Sequence, residues 1–168
     1  MNIAILGGDG IGPEVVAEGL RVLRTADKAV GLRLSFTEFP WGTDWYLQHG
    51  EMMPPDALEQ LAGFDAIYLG AVGSPQVPDH LTLRQLLLRI RFGFDQYVNL
   101  RPVRRLRGAS SPLARPADLD VAFVRENSEG EYAGMGDRLF LGTEREVALQ
   151  TAVFSRKGVK RIVRWAFE

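Results

Sequence analysis

The sequence predicts an α/β fold on a largely parallel sheet, and three observations carry that prediction. Residues 2–6 and 65–70 are short apolar runs of the kind found in strands buried on both faces, residues 33–39 alternate between them, and amphipathic helical patterns separate the runs. The first run, Asn2-Ile3-Ala4-Ile5-Leu6, breaks at Gly7-Gly8-Asp9-Gly10-Ile11-Gly12, and Pro13 stands where a first helical turn begins. A helix is expected over residues 13–27, with Val16, Leu20 and Leu23 on one face and Glu14, Glu18, Arg21 and Arg24 elsewhere. Residues 54–61 carry acid-rich helical character. Gly70-Ala71-Val72-Gly73 closes the third strand at the edge where open α/β sheets place ligand loops. Leu83, Leu86, Leu87 and Ile90 recur at helical spacing and predict a helix over residues 81–94.

The texture changes near residue 100, where a domain boundary is expected: residues 1–99 form one part and residues 100–168 another. Tyr97 to Val103 is extended, and a loop rich in Arg, Gly, Ser and Pro runs over residues 104–118. Residues 119–125 and 147–153 read as strands, with a glycine-punctuated excursion over residues 131–146 between them. Ser155 is placed to cap a helix whose apolar stripe is Val159, Ile162, Val163, Ala166 and Phe167. That stripe needs a partner surface, and few other elements follow residue 100 to supply one.

Composition removes several classes of function. Of the 168 residues 46% are apolar and 24% charged, the balance of an ordinary globular chain. Twenty basic against 21 acidic residues give a net charge of -1, so no overall basic field exists to hold nucleic acid or an anionic membrane. Cysteine is absent, which removes disulfides and thiolate chemistry, and the two histidines, His49 and His80, lie far apart. No apolar run is long enough to span a bilayer and no signal-peptide pattern opens the chain, so the expected setting is the cytoplasm.

Three segments carry chemistry. The glycine turn offers backbone N–H groups and a helix N-terminus to an anionic or polar ligand. Its third dinucleotide-fingerprint glycine is replaced by Pro13, so a plain structural turn stands beside the ligand-loop reading. Arg84, Arg89, Arg91 and Arg101, followed by Arg104, Arg105, Arg107 and Arg125, form an arginine-rich stretch. Guanidinium forks suit a small polycarboxylate or a phosphate, the alternative being a solvated basic face. In Val124-Arg125-Glu126-Asn127-Ser128-Glu129-Gly130-Glu131-Tyr132 charged residues lead to a tyrosine, whose phenol can serve as a general acid beside a cation, or can simply pack.

IAILGGDGIGPE (3–14), FDAIYLGAVG (64–73), YVNLRPV (97–103) and VRENSEGEY (124–132) together resemble the β-decarboxylating dehydrogenases, the family of isocitrate, isopropylmalate, homoisocitrate, tartrate and D-malate dehydrogenases. Phe39-Pro40-Trp41-Gly42, residues 49–54 and Val77-Pro78-Asp79-His80 look most like the tartrate and D-malate branch. The resemblance implies an isopropylmalate-dehydrogenase-like fold, incomplete here: a partial parallel sheet with flanking helices in the larger, cofactor-side domain, and the first part of a smaller substrate and dimerisation domain. It implies NAD- and metal-dependent oxidation and decarboxylation of a malate-type acid, with Mg or Mn as the metal.

By position, Arg91, Arg101 and Arg125 match the substrate-gripping arginines and Tyr132 the tyrosine that protonates the enolate carbon. Gly10, Ile11, Gly12, Gly70, Ala71, Val72 and Gly73 match the cofactor-side cleft. Arg84 stands where an uncharged or acidic residue is expected, and Arg89 where relatives tend to carry proline. The family's chains are about twice as long. The base lysine, the metal-binding aspartates and the adenosine loop belong to the half not represented, so no metal ligand is expected in these 168 residues. The resemblance also implies a homodimer for the full-length protein and inactivity for the 168 residues alone. A non-catalytic relic, or a split subunit that needs a partner chain, is the alternative.

Overall fold

The computed structural model describes residues 1–106, 108–114 and 118–168; Arg107 lies outside the described residues. The chain divides into two compact units, Met1–Gly93 and Phe94–Glu168. The division precedes the change of texture near residue 100, because Tyr97 already accepts the Asn127 N–H through its main-chain oxygen at 2.9 Å, inside the second unit.

The first unit is a three-stranded parallel sheet in the order β2-β1-β3, formed by β1 (Asn2–Leu6), β2 (Ser35–Phe39) and β3 (Ala66–Leu69). Successive side chains of a strand face opposite ways. Ile3 and Ile5 therefore meet Val16 and Leu20 of α1 (Gly12–Val30) on one face, while Ala4 and Leu6 are fully buried on the other. Leu23, Leu34, Phe36, Ala66 and Tyr68 close the core around α1. The helix runs one turn beyond the expected Asp27. It stops at Gly31, whose left-handed φ of 68° lets its N–H reach Asp27 O at 2.8 Å.

α2 (Thr43–His49) was not read from the sequence, and α3 spans Ala57–Leu61. The helix expected over residues 81–94 begins earlier and has three parts: α4 (Asp79–Thr82), a π-helical turn over Leu83–Leu87, and α5 (Leu88–Gly93). Arg89 anchors it, donating to the main-chain oxygens of Met53 (3.4 Å) and Pro55 (2.6 Å), while Gln85 Oε1 accepts the Met52 N–H at 3.3 Å.

Among its described residues the second unit holds two antiparallel pairs, β4 (Val98–Arg104) with β5 (Asp120–Glu126) and β6 (Gly130–Leu139) with β7 (Val147–Val153), and one helix, α6 (Arg156–Phe167). The excursion expected over residues 131–146 is thus mostly strand. Its register shifts between Gly130 and Met135, where Gly134 adopts φ 73°. A bulge of this kind hides the period-two pattern.

Ser155 caps α6 as expected, its Oγ accepting the Gly158 N–H at 2.9 Å. The inward face of α6 differs from the apolar stripe: Gly158 is buried and Arg161 and Ile162 half-buried, whereas Val159, Val163 and Phe167 are exposed. The reason lies at Gly158, where a Cβ would collide with the Glu129 carboxylate, and at Arg161, which is drawn inward by two acids. Among the described residues no helix is long and apolar enough to cross a membrane.

Candidate functional site

The loops at the carboxyl ends of β1 and β3 meet within the first unit. Asp9 N–H donates to Ala71 O at 2.7 Å and Gly12 N–H to Asp9 O at 2.8 Å. These two N–H groups are therefore spent inside the protein, so the turn is not the open phosphate cradle of a dinucleotide fingerprint. Gly12 and Gly70 are contact glycines. A Cβ on either would collide with Gly7 O, and one on Gly12 would also stand 2.8 Å from Ala71 N. Gly10 is different: its φ is 56°, nothing lies within 4 Å of where a Cβ would be, and Ile11 beside it is exposed. Ala71 is exposed and Val72 and Gly73 half-buried along the adjoining loop. Gly10, Ile11 and Ala71 thus form an edge open to solvent.

The second unit carries Arg101, Arg125 and Tyr132. The β4–β5 register sets Arg101 opposite Phe123 and Asn99 opposite Arg125, which places both arginines on one face of the ribbon as diagonal neighbours, about 7–8 Å apart at the backbone. The Arg125 guanidinium lies 5.3 Å from the centroid of the Tyr132 ring, within cation–π range. Arg91 sits on α5 in the first unit, half-buried.

The remaining arginines of the stretch separate by role. Arg89 is spent on main-chain oxygens, Arg84 is exposed on the π-helical turn, and Arg104 pairs with Asp120 at 3.6 Å in full view of solvent. Among the described residues no three His, Cys, Asp or Glu side chains gather as a metal would require. The residues present do not fit a divalent ion, and no step is derived through one.

The sequence reading missed the bolt behind Arg125. Arg161 Nη1 donates to both oxygens of Asp95 (2.9 and 3.0 Å) and Nη2 to Glu126 (3.3 Å) and Ser128 Oγ (2.5 Å), with the guanidinium 4.3 Å from the Tyr97 ring centroid. Gly158, Arg161 and Ile162 in helical phase were the available signal, an arginine on the face that a glycine opens. Burial alone would raise the pKa of Glu126. The Ser128 hydroxyl, the N–H groups of Glu129 and Ser128 and the Arg161 guanidinium outweigh it, and the carboxyl sits below its ordinary 4.5.

A carboxyl whose folded pKa lies below its unfolded one binds fewer protons when folded. It contributes fully above the unfolded value and loses that contribution as pH falls through the folded one. The second unit is therefore expected to lose stability on acidification below about pH 4.5, and Glu126→Gln to flatten that part of the profile. Urea unfolding followed between pH 7 and pH 3 checks this; an equally steep acid loss in Glu126→Gln would assign it to other groups.

Residues 2–168 match the family described as isocitrate/isopropylmalate dehydrogenase. The chain belongs to this family. It is 55% identical over 172 residues to the D-malate dehydrogenase [decarboxylating] of Escherichia coli (strain K12), covering 100% of this chain and 48% of that protein. It is 50% identical over 169 residues to a probable tartrate dehydrogenase/decarboxylase of Bacillus subtilis (strain 168), covering 99% and 48%. Among solved structures, the isocitrate dehydrogenase of Methylococcus capsulatus matches with a TM-score of 0.82 at 28% identity, covering 99% of this chain and 46% of that one. A β-decarboxylating dehydrogenase from Thermococcus kodakarensis matches with a TM-score of 0.66 at 32% identity, covering 98% and 44%. The chain thus spans about half the length of the family members it matches.

Proposed function

We propose that this chain carries the carboxylate-binding arginines, the proton-donating tyrosine and the cofactor-side loops of a cytoplasmic, NAD- and metal-dependent dehydrogenase that oxidises and decarboxylates D-malate or tartrate. The observation that carries the reading is the placing of Arg101 and Arg125 on one ribbon face with the Arg125 guanidinium over the Tyr132 ring. Arg101 and Arg125 present planar forks that hold a dicarboxylate in one orientation; Arg91 keeps the carboxylate-binding role that the family resemblance gives it. The Gly10–Ile11 edge and the Gly70–Gly73 loop receive the nicotinamide side. NAD held there would supply the acceptor for the hydride of C2 of the hydroxy acid. After the β-carboxylate leaves as carbon dioxide, the Tyr132 phenol delivers a proton to the carbon it vacated, held in place by the cation over its ring.

Homodimerisation belongs to the same proposal. A two-stranded hairpin is marginal alone, and β6–β7 exposes Met135, Leu139 and Leu149, which a second copy would cover. Exposed Phe154 just before α6, and Val159 and Val163 on it, support a second reading, a subunit completed by a separate chain.

Titration of the 168-residue chain with D-malate and with tartrate, followed by NMR, tests the proposal. Shifts are expected at Arg101 and Arg125, and Arg125→Met is expected to weaken binding by about tenfold or more, the loss of a charge-assisted pair. With NAD and Mn added, the 168 residues alone are expected to form no NADH. Dicarboxylate shifts that ignore Arg101 and Arg125 would remove the assignment, and a co-purifying chain that restores turnover would favour the second reading.

A further inference from the structure

The glycine turn contains a buried carboxylate that the proposed chemistry leaves unused. Asp9 is 7% exposed, and both of its oxygens accept backbone N–H groups from distant parts of the chain: Oδ1 from Thr43 at 2.6 Å and Oδ2 from Gly73 at 2.9 Å. Its own N–H and C=O are taken by Ala71 O and Gly12 N–H. One residue therefore joins the β1–α1 turn, the loop after β3 and the first residue of α2. Space has been left for it, since a Cβ on Gly42 would stand 2.8 Å from Asp9 Oδ1. A charge this deep is tolerated only when its lone pairs are met, and here two oriented N–H groups meet them.

We propose that Asp9 is a positioning residue: its carboxylate latches the Gly8–Gly12 turn to the Gly70–Gly73 loop and so fixes where Gly10 and Ile11 meet the nicotinamide cofactor. The inference rests on the reading of these loops as the cofactor side. The turn is held from outside because its own backbone, with left-handed φ at Gly8 and Gly10, has little intrinsic rigidity. Asparagine cannot replace the acid, because its carboxamide offers one acceptor oxygen and turns an NH2 toward the second N–H.

Amide exchange of the 168-residue chain, with Asp9→Asn and Asp9→Ala beside it, tests the latch. In Asp9→Ala the Thr43 and Gly73 amides are expected to exchange about tenfold faster or more, while Ile5 and Leu20 stay within about twofold of the parent. In Asp9→Asn one of the two amides is expected to keep its protection. Titration of the same samples with nicotinamide mononucleotide, which needs no adenosine loop, is expected to shift Gly10, Ile11 and Gly73 in the parent and to require about tenfold more of it in Asp9→Ala.

Unchanged Thr43 and Gly73 exchange in Asp9→Ala would overturn the latch. So would equal acceleration at Ile5 and Leu20, the mark of a general stabiliser. A parent chain whose Gly10, Ile11 and Gly73 amides ignore nicotinamide mononucleotide would overturn the cofactor reading instead, while the exchange pattern still decides the latch.

Discussion

Replacing Arg161 by methionine is expected to cost the unit Phe94–Glu168 about 2 kcal/mol, the loss of charge-assisted hydrogen bonds in a half-buried pair rather than of a fully buried one. Methionine keeps the volume and the helix propensity, so the change isolates the guanidinium. Asp95, whose side chain is 66% exposed, returns to water at little cost; Glu126, 18% exposed, stays charged and short of a counter-ion. The β5–β6 turn that connects Arg125 to Tyr132 should loosen with it. Urea unfolding combined with amide exchange checks this, with β4 and β5 losing protection and β1–β3 keeping theirs. Adding Glu126→Gln should restore part of the loss, because it removes the stranded charge. A cost below about 1 kcal/mol would make this an ordinary screened surface pair.

Gly12→Ala is expected to destabilise the first unit by about 3 kcal/mol, although alanine is the better helix former by about 1 kcal/mol. The added methyl would run into Gly7 O and stand 2.8 and 2.9 Å from the N and O of Ala71. Both are main-chain groups at the ends of β1 and β3, so neither has a rotamer with which to yield. Gly10→Ala makes the contrast: it meets open space and bears only the left-handed backbone penalty of φ 56°, about 1–2 kcal/mol. Thermal unfolding of the two variants should therefore rank Gly12→Ala as the weaker protein, and the reverse order would refute the packing argument.

Much of the architecture was legible because local and tertiary preferences agree. Ile3 to Leu6 is apolar throughout since both its faces are covered, and α1 repeats Val16, Leu20 and Leu23 at the period its core contact demands. The misreadings have physical causes. α2 is seven residues long, and its first N–H is met by Asp9 rather than by a local cap, so no cap signal stands next to it in sequence. β6 was obscured by Gly134 and Gly136, the second of which lies against Leu149 O in the partner strand. In α6 the apolar stripe is uncovered except at Ile162, in keeping with the shortage of partner elements, and what hydrophobicity did not flag is the paired arginine beside it on the inward face.

The candidate site was legible in another sense. Arg91, Arg101 and Arg125 stood out in the arginine-rich stretch and Tyr132 as a general acid, and the resemblance gave each its role. The common ribbon face of Arg101 and Arg125, and the stacking of Arg125 on Tyr132, depend on strand register, which single residues do not encode.

The central place of β1 also sets an order of events in folding. Asn2 pairs with Ser35 on one side, and Ile3 with Phe36 on that side and Ala66 on the other, always in parallel, so each contact spans a long stretch of chain. Until residue 69 has been synthesised, the strand made first lacks its second neighbour, and its apolar side chains Ile3, Ile5 and Leu6 are without their final cover. Loop-closure entropy is met before this sheet returns any stabilisation. Of the three strands, β1 is the one that waits longest for its neighbours, and until β3 appears its apolar side chains are open to pairing with another chain.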